Sequence, residues 1–198
     1  MSIAAQHVEN PTQEDWTAVK RIFRYLRGTM SHGIYFDGST KGGELLVYSD
    51  ADFAGDLKSR RSRSGVVSMY AGGPISWFSR KQNCIVLSTT EAEYIAGCEA
   101  AKEAIWLARL MKEMGQTIDV PQLLIDNMSA VKLAGNPQFH RRTKHIDIRY
   151  HFLREKVCDG MIDVKHVAGT SQIADILTKG VQKLRFYELI ALLGVTRK

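Results

Sequence analysis

The chain has 198 residues, 44% of them hydrophobic, and 27 lysines and arginines face 21 aspartates and glutamates. That length and composition predict one domain with an ordinary core and a helical appendage, and they exclude disorder throughout. No apolar run approaches the roughly 20 residues that span a bilayer, and the opening MSIAAQHVENPTQEDW lacks the basic patch and apolar block of a signal peptide, so neither a membrane protein nor an exported one is expected.

Asn10-Pro11 opens a helical pattern in which Trp16, Val19, Ile22, Phe23 and Leu26 recur at three and four residues and which ends at Gly28. Glycines then punctuate the apolar piece GIYF, so residues 31–43 read as a strand with turns and a boundary. ELLVYSD, SGVVSMYAG and PISWFSR follow as three strands, the last two joined by a turn at Gly72-Gly73-Pro74, which predicts an antiparallel meander. SerThrThrGlu at 88–91 starts a long helix to about Met114, LLID is a strand, and NMSAVKLAG is a short helix. Thr143 to Val157 reads as a helix, MIDVKHV as a strand, 171–193 as helical, and the last five residues as a frayed end. A meander feeding strand and helix alternation predicts an α/β fold: a five-stranded mixed sheet of order 3-2-1-4-5, helices on both faces, and an N-terminal helical extension.

Three cysteines, Cys84, Cys98 and Cys158, are odd in number and widely spaced, which predicts reduced, unbridged thiols. Cations gather at Lys20, Arg21, Arg24 and Arg27, at Lys58, Arg60, Arg61 and Arg63, and at Arg141, Arg142 and Lys144. Each cluster alone is an ordinary solvated face; together they are compatible with a polyanionic partner. Four acids occupy element ends: Asp50 closes the first strand of the meander, Glu93 lies early in the long helix, Asp126 closes LLID, and Asp175 opens the C-terminal helix. Strand carboxyl ends form the ligand crevice of α/β sheets, and a few converging carboxylates suit Mg²⁺, a hard cation that keeps some of its waters.

On helix geometry Glu91 and Glu93 lie about 200° apart and cannot both face the sheet. Glu93 shares its side with Ala96, Gly97, Ala100, Ala104 and Leu107, whereas Glu91 has capping-box spacing to Ser88, which predicts a carboxylate reaching back to the N-cap amide. His145, Asp147 and His151 do not share one helical face, which argues against a zinc site there.

VYSDADFAGD, SRRSRSG, SWFSRKQ, LSTTEAEYIA, IDNMSAV, RRTKHIDIRYHFLRE and ADILTKG, in that order, resemble the ribonuclease H domain of copia-type LTR retrotransposon Pol polyproteins. WTAVKRIFRYLRGT looks like the end of that family's connection to the reverse transcriptase, so residues 1–43 are expected to be an extension, 44–193 the ribonuclease H domain and 194–198 a tail. The resemblance implies that Asp50, Glu93, Asp126 and Asp175 are catalytic and hold two Mg²⁺, with Mn²⁺ as substitute, and that Asp50 rather than Asp52 is the ligand. His166 in HVAG resembles the family's mobile catalytic histidine, one residue closer to the fourth acid than in some relatives. Arg60, Arg61, Arg63, Arg141, Arg142 and Lys144 are candidate phosphate contacts. The implied substrate is the RNA strand of an RNA/DNA hybrid, the implied partner the reverse transcriptase portion of the polyprotein, and the implied setting virus-like particles in the cytoplasm. A DDE-type integrase would carry a glutamate as its last acid, and a non-catalytic connection module would keep the fold while losing acids.

Overall fold

The computed structural model of the chain describes residues 2–36, 42–135 and 147–197. A single turn α1 (Ser2–Ala5) and helix α2 (Gln13–Gly28) precede strand β1 (His32–Ile34). The meander follows as β2 (Leu46–Ala51), β3 (Arg63–Tyr70) and β4 (Gly73–Lys81), then helix α3 (Thr89–Glu113). Strand β5 (Gln122–Ile125), helices α4 (Met128–Gly135) and α5 (Asp147–Cys158) and strand β6 (Asp163–His166) complete the sheet. A 3₁₀ turn at Gly169–Ser171, α6 (Asp175–Thr178), α7 (Lys183–Leu192) and β7 (Val195–Arg197) end the chain.

The sheet has the order β4-β3-β2-β5-β6. β2, β3 and β4 pair antiparallel, whereas β5 pairs parallel with β2 and β6 parallel with β5, as the meander followed by strand and helix alternation predicts. Parallel partners need a crossover, and α3 supplies the first. Its small residues Ala96, Ala100 and Ala104 are fully buried, and a Cβ added at Gly97 would come 3.0 Å from Ile125 Cδ1, so the helix lies close on the sheet. Leu45, Val47, Val66, Leu123 and Ile125 form one core with Tyr94, Ala130, Leu153 and Ile162 under α3, α4 and α5. On the second face Val67 packs with Ile173 and Ala174, against Tyr48, Met69, Leu177 and Leu193. The three cysteines are free thiols.

Three expectations change. Residues 171–193 are not one helix: the chain runs extended through Lys179 and Gln182, which flank Gly180 and separate α6 from α7. The frayed end gives way to β7, whose Val195, Thr196 and Arg197 pair antiparallel with Ile34, Gly33 and His32, so that backbone groups of both short strands find partners. Glu91 is as buried as Glu93, each 6% exposed, because the chain before α3 folds back and brings Val86 onto Ala92, Ile95 and Ala96. The Ser88 hydroxyl accepts from the Glu91 amide (3.2 Å), as a cap should, but the Glu91 carboxylate takes the Leu87 amide (2.8 Å) rather than that of Ser88. Of the helix expected over Thr143 to Val157, residues before 147 lie outside the described ones.

Candidate active site

Side chains alternate along a strand, so Asp50 shares its face with Tyr48, and Tyr48 pairs with Leu124 of β5. Two residues on, Asp50 and Asp126 therefore lie side by side at the carboxyl ends of adjacent parallel strands. Gly65 stands opposite Asp50 on β3, and a Cβ there would come 2.9 Å from Leu177 Cβ and 2.8 Å from Thr178 Cγ2. Its missing side chain is what lets α6 rest on the sheet with Asp175 above Asp50. Gln172, fully buried, fixes the approach: its Nε2 donates to the Ser49 carbonyl (2.9 Å) and its Oε1 accepts from the Ala174 amide (3.3 Å).

The outcome is that one carboxylate oxygen each from Asp50, Asp126 and Asp175 lie within 4.8 Å of one another. Glu93 reaches the same end of the sheet from α3; its Oε1 accepts the Ala51 amide at 3.2 Å, and its buried Oε2 has no hydrogen-bond partner. Burial first, then the charges of Asp50 and Asp126, push the Glu93 carboxyl up to about 9. Asp126 is raised by the same causes, burial and the Asp50 charge. Asp52 has other partners: it closes the β2–β3 ladder, its Oδ1 accepting the Arg63 amide while its own amide donates to the Arg63 carbonyl at 3.1 Å.

A set of hard oxygen donors with mutual repulsion and one orphaned carboxylate oxygen fits a divalent cation, which would satisfy all of these at once. The cluster is consistent with divalent metal binding. Cationic side chains meet it as well. Lys179 Nζ lies 2.9 Å from Asp50 Oδ1 and 2.7 Å from Asp175 Oδ1, and the Thr178 hydroxyl donates to Asp50 Oδ2. Burial works against the Lys179 charge, but hydrogen bonds to Asp175 and Asp50, and their charges, outweigh it and hold the ammonium above its ordinary range. Arg185 sits 3.6 Å from Asp175 Oδ2 and is anchored on the Gly169 and Thr170 carbonyls at 2.9 and 2.7 Å.

His166, exposed at the end of β6, has its Nε2 3.0 Å from the Asp126 carbonyl oxygen, beside the cluster. Arg60 and Arg61 are exposed on the β2–β3 connection and Arg63 is half-buried at the start of β3. Asp56 ties that connection down by accepting from the Ser59 amide and hydroxyl and from Lys81. Arg141, Arg142 and Lys144 lie outside the described residues. Reading the sequence missed Thr178, Lys179, Arg185, Gln172 and Gly65. For Thr178 and Lys179 a signal existed, since they follow Asp175 by three and four residues within ADILTKG, the spacing of helical neighbours.

No family model matches the sequence. The fold is similar to the N-terminal ribonuclease H domain of a Mycobacterium tuberculosis protein, solved as a fusion with maltose-binding protein (TM-score 0.52, 13% identity, 76% of this chain and 96% of that one). It is also similar to LC11-RNase H1 in complex with an RNA/DNA hybrid (TM-score 0.51, 13% identity, 68% of this chain and 93% of that one). The chain therefore has the ribonuclease H fold. It is 44% identical over 195 residues to the retrovirus-related Pol polyprotein from transposon TNT 1-94 of Nicotiana tabacum, a match covering 98% of this chain and 14% of the relative. With the polyprotein from transposon RE2 of Arabidopsis thaliana it shares 40% identity over 195 residues, 98% of this chain and 13% of the relative. Its homologues are thus retrovirus-related Pol polyproteins of plant transposons, and the chain spans a small fraction of these relatives' length. Fold, family and acidic triad together support a nuclease-like enzyme.

Proposed function

We propose that this chain is a metal-dependent endoribonuclease that hydrolyses the RNA strand of RNA/DNA hybrids during reverse transcription of a retrotransposon. The observation that carries the reading is the convergence of Asp50, Asp126 and Asp175 from three separate elements within 4.8 Å, beside a buried Glu93 with an unpartnered oxygen. Asp50, Glu93, Asp126 and Asp175 are the residues that would hold two Mg²⁺, or Mn²⁺ in their place. Bound there, such ions would supply a water nucleophile at neutral pH and stabilise charge on the leaving oxygen.

The chain's own groups do the rest. Fully buried Asp50 cannot reorient, which fixes the geometry of the cluster. An Nε2–H of His166 donating to the Asp126 carbonyl leaves Nδ1 as an acceptor facing solvent, suited to carrying a proton at the site entrance. Arg60, Arg61 and Arg63, with Arg141, Arg142 and Lys144, supply cations for phosphates, while RNA is told from DNA by contacts to its 2′-hydroxyls. LC11-RNase H1, of the same fold, was crystallised with an RNA/DNA hybrid, which supports this substrate class. In the same reading residues 1–43 are the end of the reverse transcriptase connection, residues 44–193 the nuclease, the reverse transcriptase portion its partner, and virus-like particles in the cytoplasm its setting. Among the described residues no helix is long and apolar enough to cross a membrane.

The test is cleavage of an end-labelled RNA strand within a hybrid. Cleavage that appears with Mg²⁺ or Mn²⁺ and stops with a chelator is expected, while duplex DNA is left intact. A chain that binds hybrid and leaves its RNA whole in either ion contradicts the reading.

A further inference from the structure

We propose that Lys179 and the divalent cation compete for Asp50 and Asp175, so that metal loading is an exchange in which the lysine ammonium swings out as the ion enters. The proposal rests on the metal-site reading given above and adds a residue to it. The Lys179 ammonium lies within 2.9 Å of two of the three clustered aspartates, on carboxylates that the ion would also need. Both oxygens of Asp50 are engaged, Oδ1 by Lys179 and Oδ2 by the Thr178 hydroxyl. Two cations on one buried carboxylate oxygen repel strongly where water screens little, so one of them has to leave.

The geometry also says which group leaves. Asp50 is fully buried and Thr178 is held on α6, but the Lys179 side chain is 45% exposed on a flexible four-carbon stem. The chain turns extended at Lys179 and continues into Gly180, so swinging the ammonium to solvent breaks no helical hydrogen bond of its neighbours. Arg185 differs: its guanidinium is anchored on the Gly169, Thr170 and Gln172 carbonyls and stays beside Asp175 as a fixed charge. A lysine is the suited residue for this task, being a compact charge that can leave, where a planar guanidinium would grip the carboxylates. Such a counter-ion relieves carboxylate repulsion in the absence of divalent ion and lowers the apparent metal affinity by the fraction of time it is seated. A lysine seated about nine-tenths of the time weakens binding roughly tenfold.

Two measurements on the full chain test the proposal. Mn²⁺ binding followed by electron paramagnetic resonance should be about five- to tenfold tighter in Lys179→Met than in wild type, and weaker than wild type in Lys179→Arg. Because Lys179→Met removes a counter-ion and its fold without metal can suffer, the second measurement uses the wild-type chain. Acetylation of the Lys179 amine, read by mass spectrometry, should rise severalfold when Mg²⁺ is added, while other lysines keep their rates. If wild type binds Mn²⁺ and Lys179→Met binds it no better, or if Mg²⁺ leaves Lys179 acetylation unchanged, the exchange is overturned and the metal-site reading stands. If no divalent ion binds to either protein, both fall together.

Discussion

Helices α2 and α3 carry opposite lessons. In α2 the apolar residues repeat cleanly along one side, yet no residue is buried, and Trp16, Phe23 and Leu26 are 54%, 62% and 50% exposed. In α3 the pattern is blurred by glutamates among the alanines, yet Tyr94, Ala96, Ala100 and Ala104 are fully buried. Local signals hold α2 together: Thr12 and Asp15 form a reciprocal capping box, and Lys20 lies over the Trp16 ring at 5.9 Å. Tyr25 meets Phe186 edge to face at 6.3 Å, and β1 pairs with β7, so the N-terminal extension is fastened to the end of the chain. A periodic stripe announces a face; burial depends on whether another element covers it. α3 is covered because parallel pairing of β2 with β5 lays its crossover helix across the sheet.

The largest expected effect lies where α3 meets the acids. Asp50→Asn should lower hybrid cleavage on the order of 10²- to 10³-fold while preserving the fold, checked by single-turnover rates and circular dichroism. The loss of repulsion is offset by the weakened ion pair with Lys179, so melting should stay near wild type. A variant that cleaves at the wild-type rate would detach Asp50 from the chemistry.

The packing contrast comes next. Leu107→Ala in α3, at a position 5% exposed, should cost about 2–5 kcal/mol of unfolding free energy by urea titration, because it leaves a cavity. Phe23→Ala in α2 should stay within about 0.5 kcal/mol, the usual range for exposed positions. Comparable losses at both sites would mean that the open face of α2 is covered in solution.

Glu93 gives a pH test. Its folded pKa of about 9 stands above the ordinary 4.5, so the fold favours its protonated form; that contribution is complete below pH 4.5 and is lost as pH rises through 9. In metal-free buffer Glu93→Gln should therefore melt above wild type, by a margin that widens toward pH 9 and closes when Mg²⁺ is added. A margin that shrinks with rising pH would contradict the burial assigned to this carboxyl. Glu91→Gln is a small change: it weakens the amide bond accepted from Leu87, should cost about 0.5–1 kcal/mol, and should keep substantial cleavage activity. Loss of cleavage in Glu91→Gln with retention in Glu93→Gln would move the metal ligand to Glu91.

The sequence alone was enough for the strands of the main sheet and their order, for the long helix, and for the placement of four acids at element ends. These are local matters: period-2 runs such as LLVYS make strands, Ser88 caps a helix through its own turn, and short links allow few topologies. The angular argument about α3 correctly put Glu93 with the small residues facing the sheet, but it sent Glu91 outward, because a helical wheel does not know that the preceding segment returns to cover that side. Only the tertiary structure decided that Lys179 and Thr178 would clasp Asp50, that Gly65 had to be bare for α6 to approach, and that the last strand would pair with β1. Those contacts join residues far apart in the chain, 128 and 129 positions in the case of Asp50 with Thr178 and Lys179. Local propensity has no reach over such a separation, and whether two charges meet there depends on how the whole sheet and its covering helices pack.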